Sequence, residues 1–419
     1  MINSASAYYF WLKSADNTPE DIQRIELQLD IKLPIVSFIF DPRDENDVLN
    51  SIDKIVEILW TDRIYHFTIS PDNFSAAEVA MWSFDEQYTA FFNKVKEKNL
   101  HVIFRTMHEM NGWWYPRSSN PDDFKAAWIH VWTLSREVWL GEENIVFDFS
   151  INHRDMPTKL TPSQSAPLTK CTITKKNCYH FEDYYPWDSF VDVVGFSFYN
   201  RWKAMWDRKW LSPIQILYDK DWKTYTRVLK LWKPIIIDEV ATTSVRYKWK
   251  YDFNTSRQEY LNHNERKDTR LRQLWEFIIN RPEIIAALYF NSDYTHWLQS
   301  WIIWEADRAI VNIDDNKIYN WFWDLELFWE KSLDDILDRL FNISKVQIGD
   351  DYILASPECV QEMLSISSQI DNNSETINDK INMVSSLRNI NFNSPCITKA
   401  LDILSEMYQK DINYDTENN

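Results

Sequence analysis

Short runs of β-branched and aromatic residues alternate, along most of the chain, with stretches whose apolar positions recur at helical spacing. The runs predict strands over residues 7–10, 34–40, 63–69, 101–106, 144–149, 191–198, 234–237 and 284–290. The helical spacing predicts a helix after the first strand and others over 46–59, 84–98, 121–138, 213–231 and 268–280. Thr18 before Pro19 marks the first helix start: the hydroxyl can accept from an unpaired first-turn amide, and proline has no amide to leave unpaired. A long loop with Pro157, Pro162 and Pro167 separates the fifth and sixth strands.

Eight strands separated by helical segments predict an α/β fold with a parallel sheet. Eight such units predict closure into a (β/α)8 TIM barrel, which needs about 250 residues. The competing arrangement, an open doubly wound sheet, carries a glycine-rich phosphate-binding turn after its first strand. No such turn stands there, even with glycine read at every tryptophan. Beyond about residue 325 the pattern becomes polar, with helical spacing over 331–341, 357–369 and 376–409. This predicts a barrel domain over residues 1–325, a helical appendage over 326–410 and a disordered tail over 411–419.

The formal charge of −18 leaves no basic track for a phosphate backbone, which argues against nucleic acid as a partner. No run of about 20 apolar residues is present to span a membrane, and the first residues show no signal-peptide pattern. Four cysteines are too few for a disulfide scaffold; Cys171 and Cys178 are close enough in sequence to pair, with free thiols the expected state. Neither a metal nor a cofactor is expected, and the chain is expected to be a monomer. One pair of counts is abnormal: 4 glycines and 22 tryptophans. Average usage predicts roughly 29 glycines in a chain of this length. Tryptophan also stands where turn chemistry calls for glycine, as at Trp187 after Tyr185-Pro186 and Trp232 before Lys233-Pro234. Many tryptophans therefore read as glycine positions, as would follow if UGA, glycine in the source organism, had been translated as tryptophan.

Two carboxylates follow predicted strands, Glu109 after the fourth in FRTMHEMNG and Glu239 after the seventh in KPIIIDEV. Catalytic groups of such barrels sit at the C-terminal strand ends. A carboxyl pair there suits glycosidic cleavage, in which one acid protonates the leaving oxygen and the other carboxylate attacks the anomeric carbon. A single glutamate on a rim is more often a solvated charge. The company is what strengthens this pair: His108 precedes Glu109, and Asn111, Trp114 and Tyr115 follow, aromatic and polar groups of the kind that pack on and hydrogen-bond a sugar ring. No second His or Cys lies at ligand spacing from His108, and His66 and His153 read as structural.

The segment RTMHEMNGWWYP resembles the acid/base motif of glycoside hydrolase family 26, known for β-mannanases, in which a Trp lies five residues after the Glu. AMWSFDEQYTAFF, EDYYPWDSFVDVVGFSFYN and WKPIIIDEVATTS resemble further blocks of that family in the same order, with Trp82, Trp187 and Trp232 in glycine places. The resemblance covers roughly residues 7–325. It implies a retaining endo-acting glycosidase, with Glu109 as general acid/base, Glu239 as nucleophile and Tyr199 hydrogen-bonded to the nucleophile. It further implies that His108 and Arg105 fix the carboxylates or bind sugar and that Trp114 is a stacking face. The implied partner is a polysaccharide or oligosaccharide, β-1,4-mannan first, with β-1,3-xylan or mixed-linkage β-glucan as alternatives. A non-catalytic polysaccharide-binding barrel is the reading from another class. Arg117 stands where the family often has a second Trp.

Overall fold

The computed structural model describes residues 10–14, 18–30, 32–43, 45–141, 144–156, 178–200, 211–242, 264–279, 281, 283–291 and short stretches within 311–405. Eight parallel strands form one sheet: β1 (Phe10–Ser14), β2 (Ile35–Phe40), β3 (Ile64–Ile69), β4 (His101–Thr106), β5 (Ile145–Asn152), β6 (Val193–Asn200), β7 (Ile235–Thr242) and β8 (Ile284–Asn291). Their order is β1-β8-β7-β6-β5-β4-β3-β2, and the two ends of that order, β1 and β2, lie side by side. This is the (β/α)8 barrel, with its helices outside.

Helix starts follow the local chemistry. In α1 (Pro19–Leu29) the Thr18 side chain accepts from the Asp21 amide. Helices α2 (Glu45–Leu59), α3 (Ala76–Ala80), α4 (Asp85–Glu97) and α5 (Pro121–Glu137) follow in order. The helix expected over 213–231 is two pieces, α6 (Pro213–Leu217) and α7 (Thr224–Leu229). Asp219 accepts from the Asp221 amide and Lys223 takes a left-handed conformation (φ 47°), which together break it. The helix Asn264–Ile279 precedes β8.

Several expectations are extended or corrected. Phe10 lies in β1, which runs on to Ser14 in register with β8, Phe10 standing opposite Ala287; residues 7–9 lie outside the described residues. Strands β5 and β7 run past their predicted ends, to Asn152 and Thr242, because polar residues inside the barrel interrupt the apolar run without ending the strand. The region 326–410 holds the helix Ile377–Arg388 but also an antiparallel strand pair, Ser344–Ile348 with Asp351–Ala355. The helix expected over 331–341 and the tail 411–419 lie outside the described residues. Cys178 is disulfide-bonded rather than free, with its partner outside the described residues.

The two faces of the sheet differ in chemistry. Outward positions are aromatic: Phe104 meets Phe91 and Phe92 of α4 at 5.3 and 5.2 Å, and Phe149 meets Trp128 of α5 at 5.9 Å. Each fully buried Phe contributes about 1.5–3 kcal/mol. Inward positions are polar: Ser37, His66, Thr68, Arg105, Asp148, Ser150 and Ser197 are all buried. Strand alternation therefore sends the hydrophobic burial between sheet and helices and leaves the barrel interior to hydrogen-bonding groups.

Among the described residues, ten non-glycine residues have positive φ, and five of them are tryptophans: Trp60, Trp82, Trp139, Trp187 and Trp232. Trp139 follows α5 with its amide on Arg136 O, while the Leu140 amide reaches Ser135 O. This is the Schellman helix end, whose left-handed residue is usually glycine. Trp82 closes α3 in the same way, and Asn99 closes α4 so, with a residue that tolerates the conformation. Trp139 is 84% exposed, so its ring gains nothing from the position. Trp187, at φ 76° and ψ 155°, occupies a region that is essentially glycine-only, with a backbone cost of about 1–3 kcal/mol. Trp187→Gly is therefore expected to stabilise the fold by about 1–2 kcal/mol after the entropy that glycine adds to the unfolded chain. Urea unfolding of the two proteins checks this, and a destabilised variant would contradict it.

Candidate active site

Glu239 lies in β7 just after a bulge. Ile237 pairs with Phe196 but Glu239 pairs with Ser197, so Asp238 is the extra residue. The bulge lets two consecutive acids serve the barrel interior. Glu239, 8% exposed, accepts from Arg105 Nη2 at 2.8 Å and from the Tyr199 hydroxyl. Arg105 is fully buried, and its Nε donates to Thr68 Oγ1 at 2.7 Å. Burial works against the guanidinium charge, but Glu239 and Asp238 overcome it and hold its pKa above the ordinary value. Arg105 thus grips the carboxylate; in this structure it offers no surface to a sugar.

Glu109 lies on the loop after β4, three residues beyond the strand end. Met107 and Glu109 both have positive φ, 48° and 53°. Such conformations persist only where neighbours overdetermine them. The Glu109 amide donates to Ser150 O at 2.8 Å, and Asn111 exchanges hydrogen bonds with the Asn152 backbone, accepting from its amide and donating to its carbonyl, both at 2.8 Å. Asn111 also donates to Asp155 at 2.9 Å. Asn152 Nδ2 in turn donates to Glu109 Oε1 at 2.8 Å. Asn152, Ser197 and Glu239 stand on one row of residues across β5, β6 and β7. The row ties the holder of Glu109 to the position of Glu239 on the same rim.

His108 is buried between Ser70 and Tyr115, each 3.3 Å from one ring nitrogen. Arg117 is buried too; its Nε donates to His108 O at 2.9 Å, and its guanidinium lies 3.6 Å from the Tyr115 ring centroid. Burial lowers the Arg117 pKa, partly offset by Tyr115 and Asp72. The arginine that departs from the family pattern therefore braces the His-Glu segment. Trp114 is half-buried, and its ring occupies the space where a Cβ on Gly112 would fall, within 2.2 Å. Only glycine fits under that ring.

Sequence reasoning passed over Asn152, Asp148 and Asp238. For Asp148 and Asn152 the signal was an acid or amide interrupting an apolar strand at every second position; Asp238, on the bulge, carried none. His66, Asp148 and Asp238 bring potential ligand atoms within 4.8 Å of one another, but the adjacent Arg105 charge disfavours a cation there. His153 is bound to Ser197 O and packs beside Phe198, a structural place. Trp297, Trp301, Trp304, Trp321 and Trp323 lie outside the described residues.

No known family profile matches the chain. Endoglucanase H of Acetivibrio thermocellus is 23% identical over 253 residues, 54% of this chain and 25% of that protein. The chain thus spans about a quarter of the length of that curated relative. Among solved structures, the family 26 domain of an endo-β-mannanase/endo-β-glucanase from Prevotella bryantii overlays with a TM-score of 0.46 at 12% identity, covering 75% of this chain and 93% of that one. A β-mannanase from a symbiotic protist of the termite Reticulitermes speratus gives 0.44 at 11% identity, covering 80% and 90%. The mannanase man26 of Bacillus subtilis gives 0.39 at 13%, covering 74% and 88%.

Arg117→Ala is expected to destabilise the protein by about 2–3 kcal/mol, since it leaves the buried His108 carbonyl without its donor and opens a void beside Tyr115. Chemical denaturation measures this; a change below about 0.5 kcal/mol, typical of surface sites, would contradict the bracing role.

Proposed function

We propose that the protein is a retaining glycoside hydrolase acting on a β-linked polysaccharide, β-1,4-mannan first. The observation that carries this is the unequal treatment of two carboxylates on one barrel rim. Glu239 has a buried cation and a phenol as donors, which favour the ionised form that a nucleophile needs. Glu109 receives a neutral amide donor, Asn152 Nδ2, and is partly exposed, the setting for a group that must give and take a proton. In this reading Glu109 protonates the glycosidic oxygen while Glu239 forms the glycosyl-enzyme; Glu109 then removes a proton from the attacking water. Trp114 and Tyr115 supply aromatic faces for the sugar, and Tyr199 and Arg105 hold Glu239. The sequence resemblance to family 26 and the match to a protein named an endoglucanase support the same class.

Glu239→Ala is expected to cut kcat at least about a thousandfold, as loss of a nucleophile does. Reducing ends released from mannan, glucomannan, xylan and lichenan are the measure. Wild-type-like turnover by the variant would reject the nucleophile. Proton NMR of the first-formed anomer checks retention, and an inverted product would reject the double displacement.

We propose also that glycine is the natural residue at Trp82, Trp139 and Trp187, supported by their left-handed backbones. Mass spectrometry of the peptide spanning Asp183 to Asp188 from the native organism is expected to find glycine at 187; tryptophan there would refute the recoding.

A further inference from the structure

Below Glu239, on the barrel axis, lies a closed group of side chains that the proposed chemistry does not use. His66, Asp148 and Asp238 are all fully buried. Ser37 Oγ meets His66 Nδ1 at 2.9 Å. On the other side of the ring, His66 Nε2 lies 3.3 Å from Asp148 Oδ2 and 3.5 Å from Asp238 Oδ1. With His66, the Asp148 and Asp238 carboxylates bring oxygens within 4.8 Å of one another. Both crowd the backbone of Gly195: a Cβ there would fall 1.8 Å from Asp238 Oδ2 and 2.5 Å from Asp148 Oδ1.

Asp148 Oδ1 and both oxygens of Asp238 are buried with no ordinary donor in hydrogen-bond geometry. Two ionised carboxylates would not crowd together in such a place, because each would lack a donor and repel the other. One proton held between them supplies the missing donor. The groups facing the pair decide where it sits. Arg105 from β4 attracts both carboxylates, and His66 Nε2 from β3 hydrogen-bonds Asp148 and lies beside Asp238. Burial, then the neighbouring Asp238, pushes the Asp148 carboxyl well above the carboxylate range. Burial also opposes ionisation of Asp238, but the adjacent His66 ring and the charge of Arg105 outweigh it and hold Asp238 below that range.

We propose that Asp148 and Asp238 share one proton, and that the charge left on Asp238, next in the strand to Glu239, offsets part of the Arg105 charge so that Glu239 is held without being over-stabilised. The bulge at Asp238 is what puts this acid and the nucleophile side by side on one strand. The kinetic part of this inference rests on the proposed hydrolase function; the shared proton does not.

The test uses the full chain. The folded Asp148 carboxyl titrates above its unfolded counterpart, so its contribution is complete below the unfolded value and is lost as pH rises towards the folded one. Urea unfolding is expected to show the wild-type folding constant falling about tenfold per pH unit relative to Asp148→Asn between pH 5 and 6. A constant difference would overturn the shared proton, and so would one firmly bound divalent metal ion per chain by mass spectrometry. On a responsive glycan, Asp238→Asn is expected to lower kcat about tenfold to a hundredfold with little change in KM. It should also move the acidic limb of the kcat/KM profile downward, because Glu239 then has Arg105 to itself. Asp148→Asn, which keeps a neutral hydrogen-bonding head, is expected to leave that limb in place. Equal effects from the two variants, or an unmoved limb in Asp238→Asn, overturn the charge effect. If no glycan is cleaved by the wild type, the proposed function fails while the urea experiment still decides the proton. The Glu239 carboxyl titration, followed by NMR in wild type and Asp238→Asn, then decides the charge effect: a titration that does not move downward in the variant would refute it.

Discussion

A fully buried guanidinium governs this barrel. Arg105 has no solvent, and an unpaired charge in such a place is prohibitively costly. Its partners must therefore be inside as well: Thr68 from β3 and Glu239 from β7, with the Asp238 charge close by. These bring further polar groups with them, since each buried acid calls for donors of its own. Tyr199 donates to Glu239, and His66 meets Asp148 and lies beside Asp238. The interior is polar as a consequence. Hydrophobic stabilisation then falls to the outer face of the sheet, where phenylalanines of β3 to β6 pack under the helices.

That division fixes where rigidity and strain reside. The strands that carry Arg105, Asn152, Tyr199 and Glu239 are buried on both faces and are held in register by their neighbours. Glu109 instead stands on a loop with two left-handed residues. Such a loop keeps its shape only through braces, and the braces are specific: Asn111 to the β5 end, Arg117 to the His108 carbonyl, and the Glu109 amide to Ser150. The rim thus combines an immobile carboxylate with one presented on a strained but pinned turn, an arrangement typical of sites whose geometry matters more than their local stability.

Much of this was legible in the sequence. The helix start at Thr18, the eight strands, and the rim positions of Glu109 and Glu239 follow from a cap, periodicity and barrel geometry. What escaped notice has a common physical origin. Reading strands as apolar runs ends β5 at Phe149 and β7 at Ile237, just before the residues that face inward. Asp148, Ser150 and Asn152 alternate with Phe149 and Ile151, which is the signature of a strand whose two faces differ, here aromatic outward and polar inward. The bulge at Asp238 has no such signature, because two adjacent acids give no hint that both point the same way. The strand pair Ser344–Ile348 and Asp351–Ala355 carried a signal in the sequence Gly349-Asp350 between β-branched runs, outweighed by the polar composition around it.

The tryptophans sharpen the same point about local and global consistency. A residue forced into a left-handed backbone with its ring in solvent has neither local preference nor packing in its favour. Asn99 shows what the position asks for, closing α4 with the hydrogen bonds that Trp139 makes at the end of α5. Trp114 is the opposite case: half-buried, lying over Gly112, with Trp113 and Tyr115 at its edges. Like the buried Trp128, whose indole N–H donates to Phe190 O, it has surroundings shaped around an indole. Backbone conformation and packing thus separate an aromatic built into the rim beside Glu109 from those that stand in glycine's place, and the sugar-facing surface is to be drawn from the former alone.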